Sequence, residues 1–275
     1  MAQLPPRRLV LVGAGALAAG ALGLWSLRGK GPEKVSVAGA SSLRLALQDI
    51  ARAFERDRRG AAVTVRGGGE ARALEGLRQG SVDVASCLGP VPSGAPGEAS
   101  RLGRDGLALV VHRTNRVPGL QRVPVAELFA GLKDNWEGYG ADPGPIAVLS
   151  RPEGDGLKAL FEDHFGLRRR VLPSALEVDG DSRVLEQVAH NPGAIGYVSL
   201  ASALAAVEDG MDVRPVPLED VQPTLENVRA ERWPVLVDLS LRLRDGAPDA
   251  ARALVAYARG PGGRRALTTH RFVPL

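Results

Sequence analysis

The sequence predicts an α/β fold with two lobes, and three observations lead to that prediction. Short apolar or alternating segments, typical of strands, recur between amphipathic helical segments after residue 34. This alternation is typical of mainly parallel sheets flanked by helices. The pattern then restarts after the apolar segment 107–112, and the roughly 245 residues that follow the first thirty suffice for two lobes.

The first half of the pattern runs from residue 34 to residue 112. Ser41 and Ser42 are natural N-caps, and the apolar residues after them recur at helical spacing as far as Phe54. A second, short helix is predicted through Leu74 and Leu77. Residues 91–106 are predicted to form a loop. The predicted strands of this half are 34–39, 61–66, 82–86 and 107–112.

The second half repeats the alternation and ends in helices. Residues 155–165 form the clearest helical segment, because Leu157, Leu160 and Phe161 share one face. The other predicted helices are 124–132, 181–190 and a final helical region over 248–267. The predicted strands are 145–150, 194–200, 213–218 and 234–243.

Composition excludes several classes of function. The net charge of +4 comes from the first thirty residues, which hold four basic residues and no acid. The remainder of the chain has 31 basic and 31 acidic residues and no net charge. We therefore expect no nucleic-acid partner. The single cysteine, Cys87, excludes an internal disulfide and a cysteine-based metal site, and the four histidines show no ligand spacing. We expect no metal, no cofactor and no catalytic residue.

The N-terminus has the pattern of an export segment. Arg7 and Arg8 precede an uncharged run over 9–27, which at 1.5 Å per residue is just long enough to cross a bilayer. Residues 1–30 are predicted to be either a cleaved signal peptide or an uncleaved N-terminal membrane anchor. The protein would then be periplasmic or extracellular, or tethered to the inner membrane by residues 9–27, with no other membrane contact.

The order of motifs resembles a known family. The segments ELFAGLKDNW, LSRPEGDG and NPGAIGYVS occur in that order at family-like distances, and similar segments cover nearly all of residues 35–275. Together they resemble the phosphate-type substrate-binding proteins of ABC importers, which have the type II periplasmic binding fold. The resemblance implies a clamp with two hinge crossings. Lobe 1 would hold 35–110 plus 232–275, and lobe 2 would hold 111–231.

The resemblance also implies where a ligand would bind. In the family, backbone N–H groups and small hydroxyl side chains at helix starts contact the oxyanion, an arrangement that suits anions physically. Glu70, directly after the Gly67–Gly69 run, is expected to be a solvated acid. Cys87 stands where many members have Arg or Asp. The residues that the resemblance places at the site are Ala40, Ser41, Ser42, Gly68, Gly69, Cys87, Arg151, Gly154, Asp155 and Gly156.

The segment RPEGDGL departs from the family pattern S-R-x-x-G-S-G-T. Arg151, Gly154 and Gly156 match it, whereas Asp155 and Leu157 replace the two hydroxyl residues. A carboxylate about 4 Å from a bound anion would repel it by roughly 4 kcal/mol at an effective dielectric constant near 20. Arg151 could pair with an oxyanion or with Asp155, and Asp155 could instead accept a proton from protonated phosphate. We expect Asp155 to cap the following helix by accepting N–H bonds near Leu157 and Lys158.

These observations favour a non-enzymatic, exported protein that binds a small oxyanion such as phosphate for the membrane subunits of an ABC importer. One alternative is a sensor or interaction protein that keeps the fold with an altered anion pocket. The second is an enzyme on the same scaffold, which ranks last because the sequence shows no acid–base pair, metal cluster or activated nucleophile.

The first testable expectation concerns the N-terminus. Mass spectrometry of the native protein should find either a mature N-terminus within or just after residues 9–27, or a full-length chain in the membrane fraction. A full-length chain recovered from the cytosol would contradict both forms of export.

Overall fold

A computed structural model describes residues 31–275. The predicted export segment, residues 1–30, lies outside this part of the chain. Among the residues described, no helix is both long and apolar enough to span a membrane. The strands are β1 (Glu33–Gly39), β2 (Ala61–Arg66), β3 (Val84–Leu88), β4 (Glu98–His112), β5 (Ala147–Ser150), β6 (Leu176–Glu177), β7 (Ala194–Ser199), β8 (Val213–Pro215), β9 (Leu236–Leu243) and β10 (Val273–Pro274).

The helices lie between the strands and after them. They are α1 (Arg44–Asp57), α2 (Glu70–Gln79), α3 (Arg122–Phe129), α4 (Gly156–Phe165), α5 (Asp181–His190), α6 (Leu200–Glu208), α7 (Leu225–Arg229), α8 (Asp249–Arg259) and α9 (Pro261–Thr269). Short 3₁₀ helices cover Ser41–Leu43 and Trp136–Tyr139. The predicted alternation is confirmed, and α6 and α7 are helices that the sequence reading did not predict.

Two sheets share the long strand β4. In the first, the strands lie in the order β2-β1-β3-β9-β4, and in the second β4 is followed by β7, β5 and β6. The strands β2, β1 and β3 pair in parallel, as do β7, β5 and β6. The pairings of β9 with β3 and β4, and of β4 with β7, are antiparallel. We call the part built on the first sheet the first lobe and the part built on the second sheet the second lobe. The predicted two-lobe α/β class is confirmed.

The chain passes between the lobes at two adjacent places. Gly106 is the last β4 residue in register with β9, opposite Leu236, and Leu107 is the first in register with β7, opposite Ser199. The return segment lies beside this point, because Leu107 donates its N–H to the Val235 carbonyl at 2.9 Å. Trp233 donates from Nε1 to the Leu107 carbonyl at 2.9 Å. The lobe boundaries expected at 110/111 and 231/232 remain predictions.

Part of the predicted loop 91–106 is a strand. Residues 98–106 form the first half of β4 and pair with β9. The local sequence conceals this strand because Arg101 and Arg104 interrupt the apolar alternation. Arg101 forms an exposed ion pair with Asp238 of β9 at 2.6 Å. Pairing with a long neighbouring strand, rather than local propensity, therefore decides the structure here.

An aromatic cluster in the second lobe fixes the position of α4. The Phe161 ring of α4 lies 4.1 Å from the Tyr197 ring of β7 and 4.5 Å from the Phe129 ring of α3, centroid to centroid. All three side chains are buried. Aromatic contacts of this kind add to the stabilisation that burial gives. The turn between β5 and α4, which carries the RPEGDGL segment, is therefore held between two well-packed elements.

The crossing tolerates little extra volume. An added Cβ on Gly106 would lie 2.6 Å from Cδ1 of the buried Trp233 side chain. We expect Gly106→Ala to lower the free energy of unfolding by about 1–3 kcal/mol, because the ring would have to move in a packed interior. Gly138→Ala is the control, since an added Cβ there meets nothing within 4 Å. Urea unfolding measures both variants, and equal effects would contradict this account of the crossing.

Candidate functional site

Helix starts from both lobes surround a small cavity. The 3₁₀ helix that begins at Ser41, together with α2, belongs to the first lobe, and α4 and α5 belong to the second. The cavity has a volume of about 10 Å³, room for about one water molecule. Its lining residues are Ala40, Ser41, Ser42, Gly69, Glu70, Leu88, Arg151, Asp155, Leu157 and Asp179. We call this region the cleft.

Asp155 caps α4, as the sequence predicts. Its Oδ1 accepts hydrogen bonds from the N–H of Leu157 at 2.9 Å and of Lys158 at 3.1 Å. The backbone of Asp155 is extended, as an N-cap requires. The carboxylate thus satisfies two N–H groups at the positive end of the helix dipole, where a bound anion would otherwise sit.

Arg151 is held between two carboxylates. Its side chain is only 3% exposed, and it donates from Nη2 to Asp155 Oδ2 at 2.8 Å and from Nη1 to Asp181 Oδ1 at 2.7 Å. Burial by itself would lower the pKa of Arg151, but the charges of Asp181 and Asp155 outweigh it and raise that pKa. The expectation that Arg151 could pair with Asp155 is confirmed. Its Nε–H is buried and has no partner among residues 31–275.

Asp181 connects the two lobes and was not among the predicted site residues. It is the first residue of α5, and its Oδ2 accepts a 2.6 Å hydrogen bond from the Ser42 hydroxyl of the first lobe. The same oxygen accepts the Ser199 N–H at 3.3 Å. An acid in the first turn of a helix is an ordinary feature, so the sequence offers only a weak signal of this role. Its pairing with Arg151, thirty residues away, depends on the tertiary structure.

A second buried acid lies behind Asp181, at the crossing. Asp105 is fully buried and accepts hydrogen bonds from the Ser199 hydroxyl, from the Gly106 N–H at 2.7 Å and from the Ala201 N–H at 3.1 Å. Burial raises the pKa of Asp105 to about 7, although these hydrogen bonds act in the opposite direction. A chain of polar contacts therefore runs from the crossing through Ser199 and Asp181 to Arg151.

Glu70 is buried in the cleft, so the expectation of a solvated acid is wrong. It is 8% exposed, and its Oε1 accepts the Leu88 N–H at 2.8 Å. Burial, helped by the charge of Asp155, raises the pKa of Glu70 to about 8 against the lowering effects of the Leu88 N–H and Arg151. The sequence reading missed this because a first-turn acid on a surface helix looks the same as a buried one.

The ten residues predicted for the site divide into three groups. Six of them line the cavity: Ala40, Ser41, Ser42, Gly69, Arg151 and Asp155. Gly156 borders it, since an added Cβ there would lie 2.5 Å from Glu70 Oε2 and 2.6 Å from the Leu88 carbonyl oxygen. The other three, Gly68, Cys87 and Gly154, are not among its lining residues.

Cys87 lies outside the cleft because side chains alternate along β3. It packs in a cluster with residues of α2, among them Ala73 and Leu77, while Leu88 lines the cavity in its place. Burial raises the pKa of the Cys87 thiol to about 12. The thiol is thus neutral and inaccessible, which fits a packing role.

Only one of the helix starts at the cleft is capped by a side chain. Asp155 caps α4, whereas no side chain caps the 3₁₀ helix at Ser41, α2 or α5 within residues 31–275. The N-caps of α2 and α5 are Gly69 and Gly180, both at positive φ (86° and 84°). Uncapped helix starts leave N–H groups that can bind an anion. The cleft therefore combines donors from both lobes with an internal carboxylate that already occupies one of the four positions.

Comparisons with known proteins agree with this architecture. A family profile described as a PBP superfamily domain matches residues 27–259. Phosphate-binding protein PstS of Bacillus subtilis is 22% identical over 256 residues, which cover 90% of this chain and 83% of that protein.

Two solved structures are similar in fold. A substrate-binding protein of Clostridium perfringens, crystallised with bound phosphate, superposes with a TM-score of 0.81 at 22% identity, covering 88% of this chain and 100% of that chain. An ABC-type phosphate transport receptor of Vibrio cholerae has a TM-score of 0.71 at 24% identity, covering 87% of this chain and 99% of that chain. These likenesses support the two-lobe fold, and the details of the cleft are those of this chain.

The burial of Glu70 predicts a pH-dependent stability. Because the folded-state pKa, about 8, lies above the ordinary 4.5, protonation of Glu70 stabilises the fold fully below about pH 4.5, and this contribution is lost as the pH rises to about 8. Glu70→Gln keeps the shape of the side chain but removes its titratable group. The free energy of unfolding of Glu70→Gln minus that of the unmodified protein should therefore rise between pH 5 and pH 8 and stay constant above.

The titration of Asp105 is common to both proteins and cancels in the difference. Glu75→Gln is the control, because Glu75 lies on the same helix but is exposed and paired with Arg78. Urea unfolding at each pH supplies the values. A difference that does not change with pH would mean that Glu70 is ionised in the fold.

Proposed function

This chain belongs to the PBP superfamily, and we propose that it acts as a phosphate-type periplasmic binding protein that holds a small oxyanion such as phosphate between its two lobes. It acts as an exported substrate-binding protein, periplasmic or extracellular, and delivers its ligand to the membrane subunits of an ABC importer. Binding, release and hinge motion are its whole activity, and it is not an enzyme.

The observation that supports this function best is Arg151. A guanidinium that is 3% exposed stands at the cleft between the lobes, beside three helix starts without side-chain caps. Burying a guanidinium is unfavourable unless anions surround it, and an incoming oxyanion would take the place of one of the two carboxylates that pair with Arg151. The Ser41 and Ser42 hydroxyls and the helix N–H groups add donors from the other lobe.

Asp155 sets the affinity of this site. Its carboxylate already pairs with Arg151 and caps α4, so a ligand must displace it or share the guanidinium with it. Repulsion of about 4 kcal/mol between an anion and Asp155 would weaken binding about a thousandfold. The unmodified protein is therefore expected to bind phosphate weakly.

A second candidate function is favoured by the same pair of residues. If the Arg151–Asp155 pair never opens, the chain is a sensor or interaction protein that keeps the clamp without an anion. The cavity of about 10 Å³ fits this alternative, because it is too small for a tetrahedral oxyanion. Measured affinity for phosphate decides between the two.

The test is calorimetry of phosphate binding to the unmodified protein and to the double variant Asp155→Ser with Leu157→Thr. The double variant removes the competing charge and restores a donor, so its affinity should be higher by up to about a thousandfold. Asp163→Ser is the control, since Asp163 lies on the exposed side of α4 and pairs only with Arg168 at the surface. It should leave the affinity unchanged.

Two outcomes would contradict this account. If the unmodified protein binds phosphate at micromolar concentration or better and the double variant binds more weakly, Asp155 contacts the ligand directly. If neither protein binds phosphate or another oxyanion, the sensor or interaction role stands instead. Thermal unfolding should accompany the titrations, because Asp155→Ser also leaves the buried Arg151 with one carboxylate instead of two.

A further inference from the structure

We propose that Glu70 contacts the bound anion as a neutral acid, donating a hydrogen bond from its protonated carboxyl, so that anion binding at alkaline pH takes up one proton. This inference rests on the proposed function and assigns a specificity-determining residue to that site. The predicted ligand contacts were backbone N–H groups, hydroxyls, Arg151 and the carboxylate of Asp155, and Glu70 was not among them.

The position of Glu70 supports this role. It is the first residue of α2, it is 8% exposed and it lines the cavity. Its Oε1 is occupied as an acceptor for the Leu88 N–H at 2.8 Å. Its Oε2 lies at the start of α4, 2.5 Å from where a Cβ on Gly156 would stand, and makes no hydrogen bond within residues 31–275. The free oxygen therefore faces the second lobe across the cleft.

The charges around Glu70 favour the protonated form. Asp155 and Arg151 face it from the turn before α4, Asp179 lines the cavity from the turn before α5, and the neutral Cys87 thiol lies beside it on β3. The 3₁₀ helix contributes only the uncharged Ser41 and Ser42. With Asp155 and Asp181 already paired to one guanidinium, an ionised Glu70 would be a third negative charge in a buried space.

Anion binding strengthens this preference. Burial together with Asp155 gives Glu70 a pKa of about 8, and a bound anion adds a further negative charge near it, which raises the pKa again. A protonated carboxyl has an O–H to donate, whereas an ionised one has only acceptors and would repel the ligand. Binding and protonation are therefore linked: above about pH 8, each anion that binds brings one proton with it.

The experiment is calorimetry of inorganic phosphate binding in two buffers with different ionisation enthalpies, at several values between pH 6.5 and pH 9.5. Glu70→Gln is compared with the unmodified protein, because the glutamine amide mimics a protonated acid that cannot titrate. The change in protonation of phosphate itself is the same with both proteins, so it cancels when their proton counts are compared. Glu75→Gln, on the exposed face of the same helix, is the matched control.

We expect the two proteins to bind phosphate within a few-fold of each other at pH 6.5. Above about pH 8 the unmodified protein should take up close to one proton more per phosphate than Glu70→Gln. Its affinity should also fall about tenfold per pH unit relative to that variant. If Glu70 only held β3 through its hydrogen bond with the Leu88 N–H, Glu70→Gln would change neither the number of protons taken up per phosphate nor the pH dependence of the affinity.

Where the unmodified protein binds too weakly to measure, the same comparison is made in the Asp155→Ser, Leu157→Thr background. The alkaline midpoint should then move to lower pH, because the charge of Asp155 no longer raises the pKa of Glu70. Phosphate binding with equal proton counts in both proteins would overturn the role of Glu70 and leave the proposed function intact. Absence of phosphate binding in every variant and at every pH would overturn both.

Discussion

The buried ion pairs of Arg151 are the interaction on which the rest of the cleft depends. One guanidinium, almost fully removed from water, is bonded to Asp155 on one side and to Asp181 on the other. Removing either carboxylate would leave a buried charge partly uncompensated, which is far more costly than breaking a surface pair. Because both carboxylates also start helices, the position of Arg151 fixes α4 and α5 relative to each other.

The hydrogen bonds and ion pairs around Arg151 also connect the cleft to both lobes. Asp181 accepts a hydrogen bond from Ser42 of the first lobe, and Ser199 links Asp181 to Asp105 at the crossing. A ligand that competes for Arg151 therefore acts on groups that contact both lobes and the crossing. In a two-lobe clamp, such contacts are what allow a small anion to shift the balance between open and closed forms. Asp155 is an internal anion that already pairs with Arg151 within the second lobe.

Acids outnumber bases in the cleft. Glu70, Asp155 and Asp181 lie around a single guanidinium. Neutralisation is achieved by pairing for the two aspartates and by protonation for Glu70, which are the two ways in which a buried carboxyl avoids the cost of an isolated charge. Because burial raises the pKa of Glu70 to about 8, the charge of Glu70 changes with pH in the neutral to alkaline range.

The sequence by itself determined the α/β class, the restart after 107–112 and the cap at Asp155, because periodicity, capping and turn chemistry are local properties. Tertiary structure alone decided that residues 98–106 pair with β9, that Cys87 faces α2, that Asp181 bonds Arg151 and that Glu70 is buried. The physical reason is that burial and partner choice depend on residues distant in sequence. An acid at the start of a helix gives the same sequence pattern whether it is surrounded by water or by the other lobe.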